Sequence, residues 1–503
     1  MSLTCLKGET VGLLVESEKR HWNKVIDALQ ETISSEKKRS DRLQQQLTTN
    51  PDTGLPNSVV LHRELESILE ATELPKAVVF MALNESFGML KRTFSTKIPE
   101  WVLFQTSLRI QRILGDRGRL FHTHEDEFLI VVERFDSPAE IEAMAHELVE
   151  KVEKSHVMAG LTISLGVNLG AALYPDHGRK KATLLRHADI ALSKAVKNHV
   201  AFQLFTPEIK DQMVENVELQ NDMLRALEGQ ANPDEKPQFE LYLHPQVEVR
   251  NWGTPQVQGR IVGAEALIRW KHPTRGFIPP SKFIPVAEET GLIIPLGQWI
   301  LHSAVTYILD LQRLGFRHVA VSVNISSSQF NFEDIGRQIA AIAHRRGIDP
   351  ASLKLEITES GLMQNVKDTI AKASSLRAAG FKILVDDFGT GYSSLSYLKD
   401  LPVDVVKIDK SFIDGIPSSE SDQALTRAII TLAHDLKLGV IVEGTETQEQ
   451  IDWLFSQGCT VYQGYYFSKP IPFQEFATLL KTFPTVFREK ASQTTSVPQP
   501  QLT

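Results

Sequence analysis

Short apolar runs that end in polar residues recur through the second half of the chain. The runs read IVGAEALIRW, VAVSVNIS, LKLEITES, FKILVDDFGTG, VDVVKIDKSF and GVIVEGTE. Their β-branched residues are typical of buried parallel strands, and segments with helical periodicity lie between most of them. Such alternation over roughly 250 residues predicts a (β/α)8 barrel, whose functional residues lie at the carboxyl ends of the strands.

Seven polar side chains fall at these predicted strand ends. They are Glu265, Asn324, Glu356, Asp386, Asp387, Lys407 and Glu443. One charge at the end of a strand is readily explained as a turn or a helix cap, but a complete set is not. We therefore expect these side chains to converge in one cleft at the mouth of the barrel.

The carboxylates of this set restrict its chemistry. Carboxylates in one cleft cannot all ionise unless cations neutralise them, and two divalent cations together with Lys407 would balance the charge. The candidate ligands are all oxygen atoms, so Mg2+ or Mn2+ is favoured over Zn2+. The adjacent residues Asp386 and Asp387 can serve two cations at once, and two cations about 4 Å apart are suited to displacement at phosphorus.

The same residues resemble the EAL family of cyclic di-GMP phosphodiesterases. Glu265-Ala266-Leu267 is the triplet from which that family takes its name. The segments VNIS, EITES, DDFGTG, KIDKSF, VEGTET and QGYYFSKP also match the family's motifs in order. The resemblance covers about residues 238–488. It implies a TIM-like barrel that hydrolyses cyclic di-GMP to linear pGpG, a reaction of bacterial second-messenger signalling.

The resemblance also implies roles for single residues. It implies two metal sites, one formed by Glu265, Asn324, Glu356 and Asp386 and the other by Asp386, Asp387 and Glu443. Lys407 resembles the residue that helps to deprotonate the attacking water, which requires nearby cations to lower its pKa. Glu359 resembles the glutamate that braces the mobile loop 388–395, whose glycines permit rearrangement. Substrate contacts are implied for Leu267, Arg269 and Gln463.

One substrate position departs from the family pattern. The family has Tyr-Gln-Pro where this chain has Leu243-His244-Pro245, so a histidine replaces the glutamine that contacts the substrate. Imidazole can donate a hydrogen bond, but its reach differs and its charge depends on pH. Because no metal ligand is missing, we expect altered affinity for the substrate and unchanged chemistry.

Residues 51–206 resemble the GGDEF family of diguanylate cyclases, which implies an α+β domain. The segments DTGLPN, ISLGVNLGAALYPDHG and ADIALSKAVKN carry the resemblance. The signature turn reads HEDEF at 124–128, so it lacks the two glycines that let the backbone approach GTP phosphates. Met81 and Leu83 stand where the family has acidic ligands. The sequence therefore predicts a degenerate, regulatory or dimerising domain without cyclase activity; residual GTP binding is the less favoured alternative.

Three shorter segments complete the chain. Residues 1–50 carry apolar residues in one heptad register, which predicts a short coiled coil or, equally, one amphipathic helix; the positions are Trp22, Ile26, Leu29, Ile33, Leu43 and Leu47. This segment is too short for a sensor domain, so we expect any sensor to lie on a partner or outside this sequence. Residues 207–237 predict a linker helix and a hinge, and the polar segment 489–503 predicts a disordered tail.

Composition narrows the setting in which the protein acts. A net charge of −8 argues against a protein that coats nucleic acid without sequence specificity. The two cysteines, Cys5 and Cys459, are too few for a disulfide framework and indicate a reducing compartment. The chain has no apolar run of about 18 residues, so it predicts no membrane span. We expect a cytoplasmic homodimer.

Two other functions stay open on the sequence alone. A non-catalytic receptor for cyclic di-GMP would usually have lost metal ligands or the lysine, and this chain has lost neither. A scaffold that mediates only protein contacts would leave the pair Asp386 and Asp387 without a purpose. An active phosphodiesterase is therefore the favoured interpretation.

Overall fold

A computed structural model describes most of the chain. It covers residues 29, 31–37, 39, 47–71, 75–94, 97–158, 160–229, 236–254, 257–331, 335–363, 366–389 and 401–494. The chain forms two compact units, Met1–Val214 and Glu215–Thr503. Among the predicted heptad positions, Trp22, Ile26 and Leu43 lie outside the described residues, and Leu29 and Ile33 are 55% and 66% exposed. The coiled coil stays a prediction.

Between residues 47 and 206, the described part of the first unit contains seven strands and five α-helices. The strands are β1 (Lys76–Leu83), β2 (Gly118–His124), β3 (Glu127–Val132), β4 (His156–Met158), β5 (Leu161–Ile163), β6 (Val167–Tyr174) and β7 (Phe202–Leu204). The helices are α1 (Ser58–Glu70), α2 (Glu85–Thr93), α3 (Lys97–Leu114), α4 (Pro138–Val152) and α5 (Lys181–Lys197). The main sheet has the order β2-β3-β1-β6-β7, and β4 pairs with β5 alone. Its pairs are antiparallel except β6–β7, which confirms the predicted α+β class.

The central strand β1 shows why this sheet is covered on both faces. Its residues are almost all buried, so after Lys76 the strand is apolar from Ala77 to Leu83 and does not alternate with polar residues. Val79 and Met81 pack into one core, while Val78 packs into a second core on the opposite face. Because successive side chains of a strand point to opposite faces, one strand can serve both cores.

One helix, α6 (Pro207–Gly229), occupies the segment predicted to be a linker helix. Its second half carries Leu219, Met223 and Ala226, which are buried in the core of the second unit. The predicted hinge falls largely on residues 230–235, which lie outside the described residues.

The described residues of the second unit form ten strands. They are β8 (Phe239–Arg250), β9 (Gln258–His272), β10 (Gly276–Ile278), β11 (Ala320–Asn324), β12 (Leu353–Thr358), β13 (Lys382–Phe388), β14 (Val405–Ile408), β15 (Gly439–Glu443), β16 (Val461–Gln463) and β17 (Ile471–Pro472). Its helices are α7 (Pro280–Thr290), α8 (Ile293–Arg313), α9 (Ser327–Asn331), α10 (Ile335–Arg346), α11 (Glu359–Met363), α12 (Val366–Ala378), α13 (Glu420–Asp435), α14 (Gln448–Ser456) and α15 (Phe473–Thr494).

Eight of these strands close into the predicted barrel, with one difference in strand direction. The order is β9-β11-β12-β13-β14-β15-β16-β8, and β8 pairs with β9 to close the ring. Within this ring, β9 and the strands from β11 to β16 run parallel, whereas β8 is antiparallel to both of its neighbours. Only residues 251–257 separate β8 from β9, and a connection this short makes a hairpin, since a parallel crossover needs a dozen residues or more.

The carboxyl-terminal helix extends further than the sequence predicts. Helix α15 continues to Thr494 and so enters the segment 489–503 that predicts a disordered tail. Its last residues include Glu489, Lys490 and Ala491, which favour helix, and the first proline comes only at Pro498. Residues 495–503 lie outside the described part of the chain. Among the described residues, no helix combines the length and apolarity needed to cross a membrane.

Candidate active site

The register of the parallel strands brings the predicted site residues to one end of the barrel. Glu356 on β12 lies opposite Asn324 on β11. Glu443 on β15 lies opposite Gln463 on β16. Because side chains alternate between the interior and the exterior of a barrel, residues at one level on neighbouring strands meet inside it.

Lys407 on β14 lies at the centre of this group and is 1% exposed. Its Nζ lies 2.5 Å from Oε2 of Glu356 and 2.6 Å from Oε1 of Glu443. It lies 3.0 Å from Oδ1 of Asp386 and 3.3 Å from Oε2 of Glu265. One ammonium thus faces four carboxylates, although it has only three N–H donors. The group carries more negative charge than Lys407 can neutralise.

Glu265 on β9 is held by two amides as well as by the lysine. Nδ2 of Asn324 donates to its Oε1 at 2.6 Å, and Nε2 of Gln463 donates to its Oε2 at 2.5 Å. Gln463 in turn accepts a hydrogen bond from Nε2 of Gln246 on β8 at 3.1 Å. Sequence reasoning missed Gln246; the available signal was its place two residues after His244, on the same face of the strand.

Burial and charge shift the pKa values of this cluster in different directions. Burial, reinforced by the neighbouring carboxylates, raises the pKa of Glu356 well above its ordinary value. Burial also raises the pKa of Glu443 to about 8. Burial opposes ionisation of Glu265, but Lys407 and the two amide donors hold the pKa of Glu265 below its ordinary value. The carboxylates outweigh the burial of Lys407 and raise its pKa well above the usual value.

These residues fit a divalent cation. One carboxylate oxygen from each of Glu265, Glu356 and Asp386 lies within 4.8 Å of the other two. Oε1 of Glu356 is buried and accepts no hydrogen bond from any residue that the structure describes. All of these candidate ligand atoms are oxygens, and Oε1 of Glu356 has lone pairs that no hydrogen bond from the described residues uses. Such a set of ligands suits a hard cation such as Mg2+ or Mn2+.

Asp387 follows Asp386 where β13 departs from regular pairing. The register with β14 shifts between Val385 and Phe388, which breaks the strict alternation of side chains. Asp387 has a φ of 53°, and its backbone N–H donates to Oδ1 of Asp386 at 3.1 Å. Partial burial and the charge of Asp386 raise the pKa of Asp387. The charge of Asp386 thus acts on Asp387, although the carboxylate oxygens that lie within 4.8 Å of one another among the described residues include Asp386 and not Asp387.

Glu359 lies at the base of the loop that follows β13. It is 3% exposed, and its Oε2 accepts a hydrogen bond from the backbone N–H of Gly389 at 2.8 Å. Gly389 has a φ of 96°, and a Cβ there would lie 2.9 Å from the ring of Phe412, so glycine is required. The rest of the predicted mobile loop, from residue 390, lies outside the described residues.

Arg269 and Leu267 lie further along β9, beyond Glu265. The guanidinium of Arg269 lies over the ring of Tyr242, 5.4 Å from its centroid, and donates to the carbonyl oxygen of Ile268 at 2.9 Å. Leu267 is directly opposite Tyr242 in the β8–β9 register. A guanidinium stacked on an aromatic ring is held in one plane and keeps further N–H donors for an anion.

His244, which replaces the expected glutamine, is fixed by the backbone. Its Nε2 lies 3.1 Å from the carbonyl oxygen of Ser468, and burial lowers the pKa of His244. The ring of Tyr465 lies 6.1 Å from that of His244 and is 54% exposed, with Nζ of Lys469 above it at 5.3 Å. Sequence reasoning missed Tyr465, although it stands two residues after Gln463 in QGYYFSKP.

In the first unit, the positions that lack the expected acidic ligands belong to the core. Met81 and Leu83 on β1 are 0% and 4% exposed. Glu125, which replaces a glycine of the signature turn, is exposed and forms an ion pair with Lys91. Asp126 lies beside it in the same turn, between β2 and β3.

Comparisons with known proteins match both units. The model of the EAL domain matches residues 220–470, and the model of the diguanylate cyclase, GGDEF domain, matches residues 48–200. The cyclic di-GMP phosphodiesterase NbdA of Pseudomonas aeruginosa is 31% identical over 436 residues, 86% of this chain and 54% of NbdA. The cyclic di-GMP phosphodiesterase PdeR of Escherichia coli is 30% identical over 452 residues, 90% of this chain and 66% of PdeR. The chain thus spans about half to two thirds of the length of these relatives.

A solved structure of the PaMucR phosphodiesterase in complex with c-di-GMP is 36% identical; the match covers 52% of this chain and 99% of that chain, with a TM-score of 0.47. The EAL match begins within α6, whose second half is buried in the core of the second unit. The two family models follow one another along the chain in the predicted order. The chain therefore belongs to the family of signalling proteins in which a GGDEF domain precedes an EAL domain.

Proposed function

We propose that this protein hydrolyses cyclic di-GMP to linear pGpG in its barrel, with the help of divalent cations. The observation that carries the proposal is the buried ammonium of Lys407, which faces four carboxylates at the carboxyl ends of the strands. The relatives named as cyclic di-GMP phosphodiesterases support the choice of substrate. We further propose that the protein acts in the cytoplasm as a homodimer.

The residues of the barrel divide the chemistry between them. One cation would be held by Glu265, Asn324, Glu356 and Asp386, and a second by Asp386, Asp387 and Glu443. Bound cations lower the pKa of water and neutralise charge that develops on phosphate oxygens. Lys407 holds and orients the attacking water and, once its own pKa is lowered, accepts the proton of that water. The water oxygen bonds to phosphorus, the bond to the 3′ oxygen breaks, and a 5′ phosphomonoester and a 3′ hydroxyl result.

The residues beyond Glu265 on the rim of the barrel would bind the substrate. Arg269 is the phosphate-binding residue, because its guanidinium is already oriented by Tyr242. Leu267, His244 and Gln463 complete the contacts that the family resemblance implies. The exposed ring of Tyr465 offers a surface on which a purine can stack.

The GGDEF domain has, in this proposal, a regulatory or dimerising role without cyclase activity. Cyclase chemistry needs acidic metal ligands, and Met81 and Leu83 place apolar side chains in a packed core instead. Glu125 adds a carboxylate to the turn that would approach phosphates. The missing acidic ligands and the added carboxylate of Glu125 also disfavour binding of GTP.

The test is incubation of the pure protein with cyclic di-GMP and Mn2+ or Mg2+, with and without GTP, followed by chromatography for pGpG. We expect product with either metal and no dependence on GTP. Glu265→Ala and Asp387→Ala each remove part of the metal coordination and are expected to abolish turnover. Glu446→Ala is the matched control, because Glu446 pairs with Lys410 on the surface.

The other interpretations predict different results in the same assay. A receptor would bind cyclic di-GMP tightly and leave it intact after long incubation. A scaffold would show no affinity for the nucleotide. Either outcome for the wild-type protein would overturn the proposed hydrolysis.

A further inference from the structure

A row of amides continues from the active centre into the interior of the barrel. Gln246 is 0% exposed and donates through Nε2 to Oε1 of Gln463 at 3.1 Å. Gln463 donates through its own Nε2 to Glu265 at 2.5 Å. A primary amide that donates on one side presents its carbonyl oxygen on the other, so the orientation of Gln246 determines that of Gln463.

The inner end of this row is an oxygen without a protein donor. Oε1 of Gln246 is buried and accepts no hydrogen bond from the part of the chain that the structure describes. A buried polar atom left in this way destabilises the folded state, because it has lost its hydrogen bonds to water. A partner is therefore expected in the space beside Oε1.

The missing side chain of Gly263 lets Oε1 of Gln246, the carbonyl oxygen of Ala320 and a lysine ammonium lie close to one point. A Cβ on Gly263 would lie 2.8 Å from Oε1 of Gln246 and 3.5 Å from Nζ of Lys354. Lys354 is partly buried on β12, two residues before Glu356. The ammonium and the amide oxygen thus lie near one point with no side chain between them, and a small polar gap of this kind is the setting in which proteins hold a buried water.

We propose that Lys354 is a positioning residue of the active centre. Its ammonium donates to a water in the gap beside Gly263, and that water donates to Oε1 of Gln246. This arrangement keeps the amide nitrogen of Gln463 turned toward Glu265. The proposal rests on the proposed function, because only there does Glu265 bind a metal ion.

The reversed orientation shows what Lys354 prevents. If Gln246 turned over, its NH2 group would face the ammonium and its oxygen would face the oxygen of Gln463. Gln463 would then have to turn as well and present its oxygen to the carboxylate of Glu265. The contact of the Gln246 NH2 group with the ammonium and the contact of the Gln463 oxygen with the carboxylate of Glu265 are both repulsive. A low local dielectric strengthens this repulsion.

The direction in which the Kd for Mn2+ changes when Lys354 is replaced distinguishes a positioning role from a purely electrostatic effect of its charge. Lys354→Met removes a positive charge near the carboxylates, and by Coulomb's law alone that change strengthens cation binding. Loss of positioning frees Glu265 to adopt other orientations and weakens cation binding. The two explanations therefore predict opposite shifts in the Kd for Mn2+.

The experiment is calorimetric titration of the full chain with Mn2+, without substrate. We expect Lys354→Met and Gln246→Leu each to raise the Kd about tenfold, and the double variant to raise it no further, because both act through one row of hydrogen bonds. Lys382→Met is the matched control. Lys382 lies opposite Lys354 in the β12–β13 register, but its side chain is 51% exposed and pairs with Asp404 at 2.9 Å.

An unchanged or lower Kd in Lys354→Met overturns the positioning role, as does an effect of Lys382→Met of the same size. A crystal structure of the wild-type protein provides a second test that needs no variant to fold. It is expected to contain a water within hydrogen-bonding distance of both Nζ of Lys354 and Oε1 of Gln246, and a dry gap would overturn the proposal. A wild-type protein that has this water but does not bind Mn2+ would instead contradict the proposed function.

Discussion

The ammonium of Lys407 supplies the positive charge at the centre of a cluster of acidic residues. Its ammonium is buried among four carboxylates, which repel one another without it. Removing one partner of a buried ion pair costs about 3–5 kcal/mol, because the remaining charge is left uncompensated. If Lys407 were removed from this centre, the carboxylates of four acidic residues would be left without their ammonium partner.

Lys407→Met is therefore expected to abolish hydrolysis and to destabilise the metal-free protein by about 3–5 kcal/mol. Mn2+ should recover more stability in this variant than in the wild type, because the cation replaces the missing positive charge. Urea unfolding in EDTA and in Mn2+ measures both effects. Lys410→Met, at a surface lysine that pairs with Glu446, is the control. Equal destabilisation with and without Mn2+ would contradict the role assigned to Lys407.

His156 in the first unit makes stability depend on pH. It is 2% exposed, its Nε2 has no hydrogen-bond partner among the described residues, and burial lowers the pKa of His156 to about 4. The unfolded chain, with a pKa near 6.5, binds this proton more readily. Stability is therefore unaffected above about pH 6.5, decreases as the pH falls toward 4, and levels off below that.

His156→Phe should remove this dependence, since phenylalanine preserves the edge contact with Trp101 and cannot be protonated. We expect the first unit of the variant to be more stable than the wild type at pH 4.5, by an amount on the order of 2–3 kcal/mol. Chemical denaturation at pH 7.5 and pH 4.5 measures the difference. His146→Phe, at an exposed position of α4, should leave the pH dependence unchanged.

Single residues also show how far the sequence could be interpreted. Lys407 and the acidic residues could be predicted because a charge at the end of an apolar run conflicts with burial unless it has a function. Gln246 and Lys354 could not, because each lies within a strand, where a polar residue normally faces solvent. Only the closure of the barrel shows that both face its interior.

At the scale of elements, the direction of β8 is the feature that the sequence did not reveal. The period of a strand is the same in both directions, so the side-chain pattern of FELYLHPQVEVR carries no information on the orientation of β8. The deciding quantity is the length of the connection, residues 251–257, which permits a hairpin. The other barrel strands are separated by long connections, which is why their parallel order could be predicted.

Packing between β6 and α5 depends on the absence of a side chain at Gly170. A Cβ there would lie 1.9 Å from the backbone nitrogen of Leu192. Gly170→Ala is therefore expected to force the helix from the sheet and to destabilise the first unit by more than about 3 kcal/mol. Gly88→Ala is the matched control, because a Cβ on Gly88 meets nothing within 4 Å and alanine favours the helix α2. Equal stability of the two variants would show that the helix and the sheet can separate at little cost.

At the scale of the whole molecule, two units share one chain, and among the residues that the structure describes the acidic centre belongs to the second unit. A cation at 100 times its Kd adds about 2.7 kcal/mol to the stability of the unit that binds it. We expect differential scanning calorimetry to show that Mn2+ raises only the transition of the barrel, by roughly 5–10 °C. Glu265→Ala should abolish the shift. A shift of the other transition with GTP would contradict the proposed loss of nucleotide binding in the GGDEF domain.

Strand β16 is joined to its neighbours in the barrel by few residue pairs. It joins β15 through two residue pairs and β8 through two more, whereas β8 and β9 pair along almost their whole length. The wall can therefore open beside β16 before the rest of the domain unfolds. Because β16 carries Gln463, such an opening would stop the proposed hydrolysis while leaving the protein folded. On warming, activity should disappear before the protein melts, and amide hydrogens at 461–463 should exchange ahead of those in β12 and β13.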